Sequence, residues 1–351
     1  MTKFFKYSLC LILILFISFK TFAQTVKSAD RYLNAYKKYE NATCPIKKNN
    51  IKNFVYFSRD RDAIKDHPFL KNPRFEGAQI MYSWDRLEPE EGKYDFSEIK
   101  EDYQYLLSHH KKLFIQLQDT TFDPEMKSVP KYLLANKYDG GAVIMLKDNG
   151  EPDGWTAKRW NPNVQKRFAL LLQALGKEFD GKIEGVNLQE SSIGEVKDPT
   201  FTPESYAKGI KANMLAMKKA FKKSVTMQYA NFMPGESLPE NDKGYLRGLY
   251  QYGQQIGVGL GGPDLMVKRK PQLNNTLAMM HEAKYTVPLG IAVQDGNYIN
   301  DTSNNAIVSD HKNIVPLLVA FADDFLKVNY MFWVNQEPYF MEDVMPCFTA
   351  K

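Results

Sequence analysis

Glu190 follows a short, mostly apolar run, residues 183–188, and precedes Ser191-Ser192. A run of that kind fits a strand buried on both faces. Helical periodicity at 163–179 comes before it and at 203–222 after it. The carboxyl is therefore expected where a parallel strand opens into its loop, the face on which α/β barrels carry their chemistry. A carboxyl withdrawn from water there has a raised pKa and can act as a general acid. A loop glutamate can equally cap a backbone amide or pair with a lysine. Three more carboxylates fall just beyond other expected strands: Asp264 in Gly261-Gly262-Pro263-Asp264, Asp295 in Gln294-Asp295-Gly296, and Glu337 in Asn335-Gln336-Glu337-Pro338. Asp after Pro and Glu before Pro are also ordinary turn residues.

Amides and aromatics gather at the same expected strand ends. The amides are Gln116, Gln118, Asn187, Gln189, Asn231, Gln294 and Asn335, and the aromatics are Tyr82, Trp84, Tyr229, Tyr298 and Trp333. Sugars present apolar C–H faces ringed with hydroxyls, so stacking rings and two-way hydrogen-bonding amides suit them. Singly, each is more often packing than ligand contact, and the weight lies in their concentration.

Positioning such a set requires a repeated strand-and-helix frame. Short apolar runs occur at 54–58, 77–83, 113–117, 183–188, 225–229, 256–260, 289–293 and 330–334, with amphipathic stretches between them. That alternation predicts a single (β/α)8 TIM barrel of the α/β class. Asn161-Pro162 and Thr202-Pro203 read as helix starts, an N-cap followed by proline in the first turn. The third connection, 118–162, is unusually long and contains Gly140-Gly141 and Asp153-Gly154-Trp155. Connections of that length carry function or structure of their own. A hairpin overhanging the catalytic face is expected here, with a stabilising flap as the alternative.

The segment from Trp84 to Phe96, with Glu88-Pro89, Gly92 and Tyr94 between, matches a W-x-x-x-E-P-x-x-G-x-Y-x-F pattern. It resembles the stretch that follows the second strand in many clan A glycoside hydrolases. Physically the motif is mostly architectural: Glu88-Pro89 ends an extended segment, Gly92 turns the chain, and Tyr94 and Phe96 pack beneath. Glu88 is accordingly read as structural. The resemblance implies a (β/α)8 fold, glycosidase activity and an acid/base Glu closing strand four. Glu190 matches that Glu, although Gln189 stands where the clan has Asn. The clan's nucleophilic Glu closes strand seven, where this chain has Gln294, with Asp295 one residue later. Glycoside cleavage uses two carboxylates, about 5–5.5 Å apart for retention and about 6.5–9.5 Å for inversion. The shorter Asp295 leaves room for a water and favours inversion, with Glu337 and Asp264 as the other candidate partners of Glu190. Tyr82, Trp84, Gln118, Asn187, Gln189, Tyr229, Asp264, Gln294, Tyr298 and Trp333 are the expected substrate contacts.

Residues 1–23 have the pattern of an export signal: Lys3 and Lys6, a short apolar run, then Thr21-Phe22-Ala23 as a cleavage site. Cleavage after Ala23 would leave 24–351 as the barrel domain, secreted or periplasmic and not held in a membrane, and would take the formal charge from +5 to +2. That mild balance argues against a nucleic-acid partner. Cys44 and Cys347 then remain, either bridged, as an oxidising compartment permits, or as two thiols. No Cys/His grouping has metal-ligand spacing, and neither a metal nor an organic cofactor is expected. The sequence thus predicts an exported glycoside hydrolase acting on a polysaccharide or oligosaccharide. A catalytically silent carbohydrate-binding barrel and a polysaccharide lyase are the alternatives.

Overall fold

A computed structural model describes residues 29–294, 297 and 313–349. The elements run β1 (Lys52–Tyr56), β2 (Phe75–Ser83), α1 (Trp84–Leu87), α2 (Ser97–Ser108), β3 (Lys112–Gln118), β4 (Thr120–Thr121), β5 (Ala142–Leu146), β6 (Pro152–Ala157), α3 (Pro162–Phe179), β7 (Gly185–Leu188), β8 (Glu195–Val196) and α4 (Pro203–Ala220). They continue through β9 (Val225–Tyr229), α5 (Tyr245–Ile256), β10 (Gly259–Gly262), α6 (Lys270–Asn274), α7 (Thr276–His281), β11 (Leu289–Val293), α8 (Ile314–Ala320) and β12 (Tyr330–Val334). Eight parallel strands close a barrel in the order β1-β12-β11-β10-β9-β7-β3-β2. Each expected apolar run supplies one barrel strand, and the (β/α)8 fold stands. Between β3 and α4, four short strands form an antiparallel sheet ordered β4-β6-β5-β8.

Two apolar cores follow from the two-residue period of a strand. One parity (Val55, Ile80, Tyr82, Ile115, Leu188, Trp333) points out into the layer beneath the helices. The other (Phe54, Tyr56, Phe114, Met227, Tyr229, Phe332) fills the barrel interior. Phe114 lies edge-on to Phe54 and Phe332, at ring centroid separations of 5.8 and 5.1 Å, and plugs the lower barrel.

The helices begin where their caps sit. Asn161 Oδ1 accepts the N–H groups of Asn163 and Val164 at the start of α3. Thr202 and Ser205 exchange hydrogen bonds at the start of α4. The sixth strand differs from expectation: α5 runs through Ile256, Gly257 ends it at φ 76°, and the strand is Gly259–Gly262. A left-handed glycine after the last helical turn claims residues that hydrophobicity alone assigns to the strand. Cys44 and Cys347 are bridged, with Cα atoms 4.7 Å apart. Among the described residues no helix is long and apolar enough to cross a membrane.

Candidate active site

At the C-terminal ends of the strands, inward-facing side chains surround a cavity of about 360 Å³. Tyr56, Gln79, Met81, Gln116, Gln118, Gln189, Tyr229, Ala292 and Gln294 come from the strands or the residues just after them, and Glu190 and Pro263 from the loops. Thr120, Thr121, Phe122 and Asp123 reach over it from the insertion.

Glu190 is locked in place from two sides. Asn231, beyond β9, donates Nδ2 to Glu190 Oε2 at 2.6 Å, and its own Oδ1 accepts the N–H of Ser192. Arg159, beyond β6, donates Nη1 to the Glu190 carbonyl at 2.8 Å. The same guanidinium is forked onto Asp119, at 2.9 and 2.6 Å, and reaches Thr120 Oγ1 and Tyr206 Oη. A forked arginine–carboxylate pair fixes geometry as well as charge. Burial first, then the negative charge of Asp264, push the Glu190 carboxyl up to about 7, against the Asn231 hydrogen bond and the Arg159 charge. Withdrawal from water and a like charge nearby both favour the protonated form.

The cavity floor is rich in amides. Tyr56 Oη donates to Gln116 Oε1, and Gln116 Nε2 to Asn187 Oδ1, at 3.0 and 2.7 Å. Around that ladder, Gln79 Nε2 and Oε1, Gln118 Oε1 and Tyr229 Oη are buried without a well-formed hydrogen bond. Unpaired buried polar atoms are costly, and their concentration at one cavity marks a place for a ligand bearing donors and acceptors. Among the described residues no group of three or more His, Cys, Asp and Glu side chains could hold a metal ion.

The expected site residues divide by strand parity. Glu190, Gln118, Gln189, Tyr229 and Gln294 line the cavity. Gln189 has its Oε1 engaged by the Asp119 and Thr120 N–H groups, both at 2.9 Å. Asp264 follows β10 beside the cavity-lining Pro263 without itself lining the cavity; it accepts Asn297 Nδ2 at 3.0 Å, and its charge reaches Glu190. Asp295 and Tyr298 lie outside the described residues.

Five expectations are corrected. Tyr82 faces the helix layer and donates to Asp102 Oδ2 at 2.7 Å. Trp84 is buried on the same side with its indole N–H on Glu88 Oε2, and Trp333 points outward to Asn53 Oδ1. Asn187 points inward but below the cavity, fully buried against Gln116. Glu337 is exposed and does not line the cavity. Glu88 is structural, accepting from Trp84, from the Gly92 N–H and from Arg167. Sequence reasoning missed Tyr56, Gln79, Arg59 and Phe122 at the cavity, and Arg159 behind it. The alternation of Phe54 with Tyr56 and of Gln79 with Met81 was the available signal for two of them.

No family model matches the sequence, and the comparison with curated proteins finds no match. Solved structures do resemble it in fold. The catalytic domain of a beta-amylase from Paenibacillus polymyxa aligns at a TM-score of 0.53 with 8% identity, covering 83% of this chain and 93% of that one. Endo-glycoceramidase II from Rhodococcus sp., seen as a lactosyl-enzyme intermediate, aligns at 0.51 with 11% identity over 83% of this chain and 75% of its own. A GH5_18 variant from Streptomyces cattleya in complex with Manb1-4GlcNAc aligns at 0.52 with 10% identity over 81% and 70%. The chain thus has the barrel fold found in glycoside hydrolases.

Proposed function

We propose that this protein is an exported glycoside hydrolase acting on an oligosaccharide or polysaccharide, with Glu190 as general acid. The observation that carries this reading is a carboxyl with its pKa raised to about 7, held by Asn231 at the wall of an amide-lined cavity on the C-terminal face of the barrel. In the protonated form Glu190 would transfer its proton to the glycosidic oxygen as the bond to the anomeric carbon breaks. A second carboxylate would take a proton from the water that adds to that carbon. Asp264, whose charge reaches Glu190, is now the favoured partner, and Asp295 remains the other candidate. The apolar stretch within residues 1–23 and the Cys44–Cys347 bridge support export to an oxidising compartment.

A catalytically silent sugar-binding barrel is the second reading. It is favoured by Gln294, an amide lining the cavity on the strand where clan A barrels carry their nucleophile. One experiment separates the two. Wild type, Glu190→Gln and Asp264→Asn are assayed for product release on a panel of polysaccharides. Turnover by wild type that falls at least about 100-fold in Glu190→Gln supports the hydrolase. Glycan binding with no product from any glycan selects the binding module.

A further inference from the structure

The mouth of the cavity carries two side chains that the acid mechanism does not use. Phe122 lines the cavity and is 50% exposed, a large ring left in water. Its position is built in. Thr121 pairs with Trp155 of β6, and a Cβ on the neighbouring Gly154 would come within 1.9 Å of Thr121 O and 2.8 Å of Phe122 Cα. The β6 backbone is therefore pressed against the Phe122 segment. An exposed ring over a polar cavity is a platform for the apolar face of a pyranose.

Arg59 lines the same mouth. It follows Ser58, which holds a left-handed φ of 50° where β1 ends. Strained backbone of this kind concentrates at ligand sites. The Arg59 side chain contacts Met126, a thioether in the turn that also carries Phe122, and among the described residues it makes no ion pair. Asp123, which lines the same cavity, accepts the N–H of Glu125 instead. The mouth thus presents, from neighbouring segments, an aromatic plane and a guanidinium that makes no ion pair among the described residues. Guanidinium geometry suits a two-oxygen anion, a carboxylate or a sulfate ester.

We propose that Phe122 and Arg59 form a second sugar subsite at the cavity mouth, which takes a sugar bearing a negatively charged substituent, so that the natural glycan is acidic. The proposal rests on reading the cavity as a glycan site and deepens it by naming the substrate class. Phe122 would stack on the ring while Arg59 receives the anion.

The test measures binding of the full-length Glu190→Gln protein to neutral, uronate-bearing and sulfated glycans, alone and with Arg59→Ala, Arg59→Lys or Phe122→Ala added. The expected result is preference for one acidic class, and which class wins identifies the anion. Arg59→Ala should weaken that class at least 10-fold and leave neutral glycans unchanged, with Arg59→Lys between. Phe122→Ala should weaken charged and neutral glycans alike. Preference for neutral glycans, an Arg59→Ala effect equal on both classes, no effect of either variant, or no binding to any glycan would overturn the proposal. Melting curves of each variant separate misfolding from lost contact. Wild type is then assayed for cleavage of the same glycans. Arg59-dependent binding without cleavage removes the hydrolase reading and leaves the acidic-glycan subsite standing.

Discussion

Glu190 is where burial, hydrogen bonding and charge meet in one group, and its protonation sets two measurable pH dependences. A general acid must be protonated, so kcat/KM should fall as pH rises, with a midpoint near the Glu190 value of about 7. The Asn231 hydrogen bond pulls that value down. Asn231→Ala should therefore move the alkaline limb to higher pH, which a pH–rate profile reads directly. A limb that stays in place would remove Asn231 from that role. Stability follows the same group with a definite sign. Because the folded carboxyl has a higher pKa than the unfolded one, the folded state binds more protons between pH 4.5 and about 7. Stability is then lost as pH rises through that window. Glu190→Gln should melt higher than wild type at pH 8 and lose the advantage at pH 4, as calorimetry would show. The place of Glu190 was legible locally, since the apolar run 183–188 marks a strand and leaves Glu190 in the loop after it, whereas its role as acid needed the barrel pattern of the whole chain and the clan A resemblance. Its supports were not legible locally, because Asn231 and Arg159 stand 41 and 31 residues away along the chain.

At the level of elements, the insertion after β3 is coupled to the acid loop through a buried pair. Asp119 and Arg159 are both almost fully buried, and the arginine also carries the Glu190 carbonyl. Removing one partner of such a pair leaves the other charge without compensation, at a cost of about 3–5 kcal/mol. Arg159→Met should lose about that much in denaturant unfolding, and Asp119→Leu in the same background should restore part of it. A simple sum of the two losses would mean that the residues act independently. The strands themselves were legible as apolar runs, and their order follows from barrel closure. What proximity to a strand end could not give was the facing of each side chain. Tyr82 and Trp333 lie one residue out of phase with Met81 and Val334, and a single step along a strand turns a side chain from the cavity to the helix layer. Phe54 and Phe332, which must fill the barrel interior, would have set that phase. The bounds of β10 were hidden differently, because Gly257 caps a helix whose last residue, Ile256, hydrophobicity alone assigns to the strand.

For the whole molecule the critical seam is the one between the first and last strands. β1 and β12 pair from Lys52 with Tyr330 to Tyr56 with Val334, and this pairing closes the barrel by joining segments from the two ends of the chain. The Cys44–Cys347 bridge spans 303 residues beside that seam, reinforced by the Ile46 N–H on the Cys347 carbonyl at 2.9 Å. Arg74, just before β2, donates to the Ile46 carbonyl and lies over the Phe348 ring. These contacts put the bridge at the N-terminal ends of the strands, opposite the cavity, the face of such barrels associated with stability rather than chemistry. Tying the two ends together removes conformational freedom from the unfolded chain, and a bridge of this kind typically contributes about 2–4 kcal/mol. A reductant should therefore lower the melting temperature of wild type by several degrees. The double variant Cys44→Ser, Cys347→Ser should melt at the reduced protein's temperature and ignore reductant, while its kcat/KM at 25 °C equals that of wild type. A variant that melts with wild type would show that the barrel seam holds the ends together without the bridge. One that keeps its melting temperature but loses activity would mean that the N-terminal face communicates with Glu190, against the division of labour drawn from the fold.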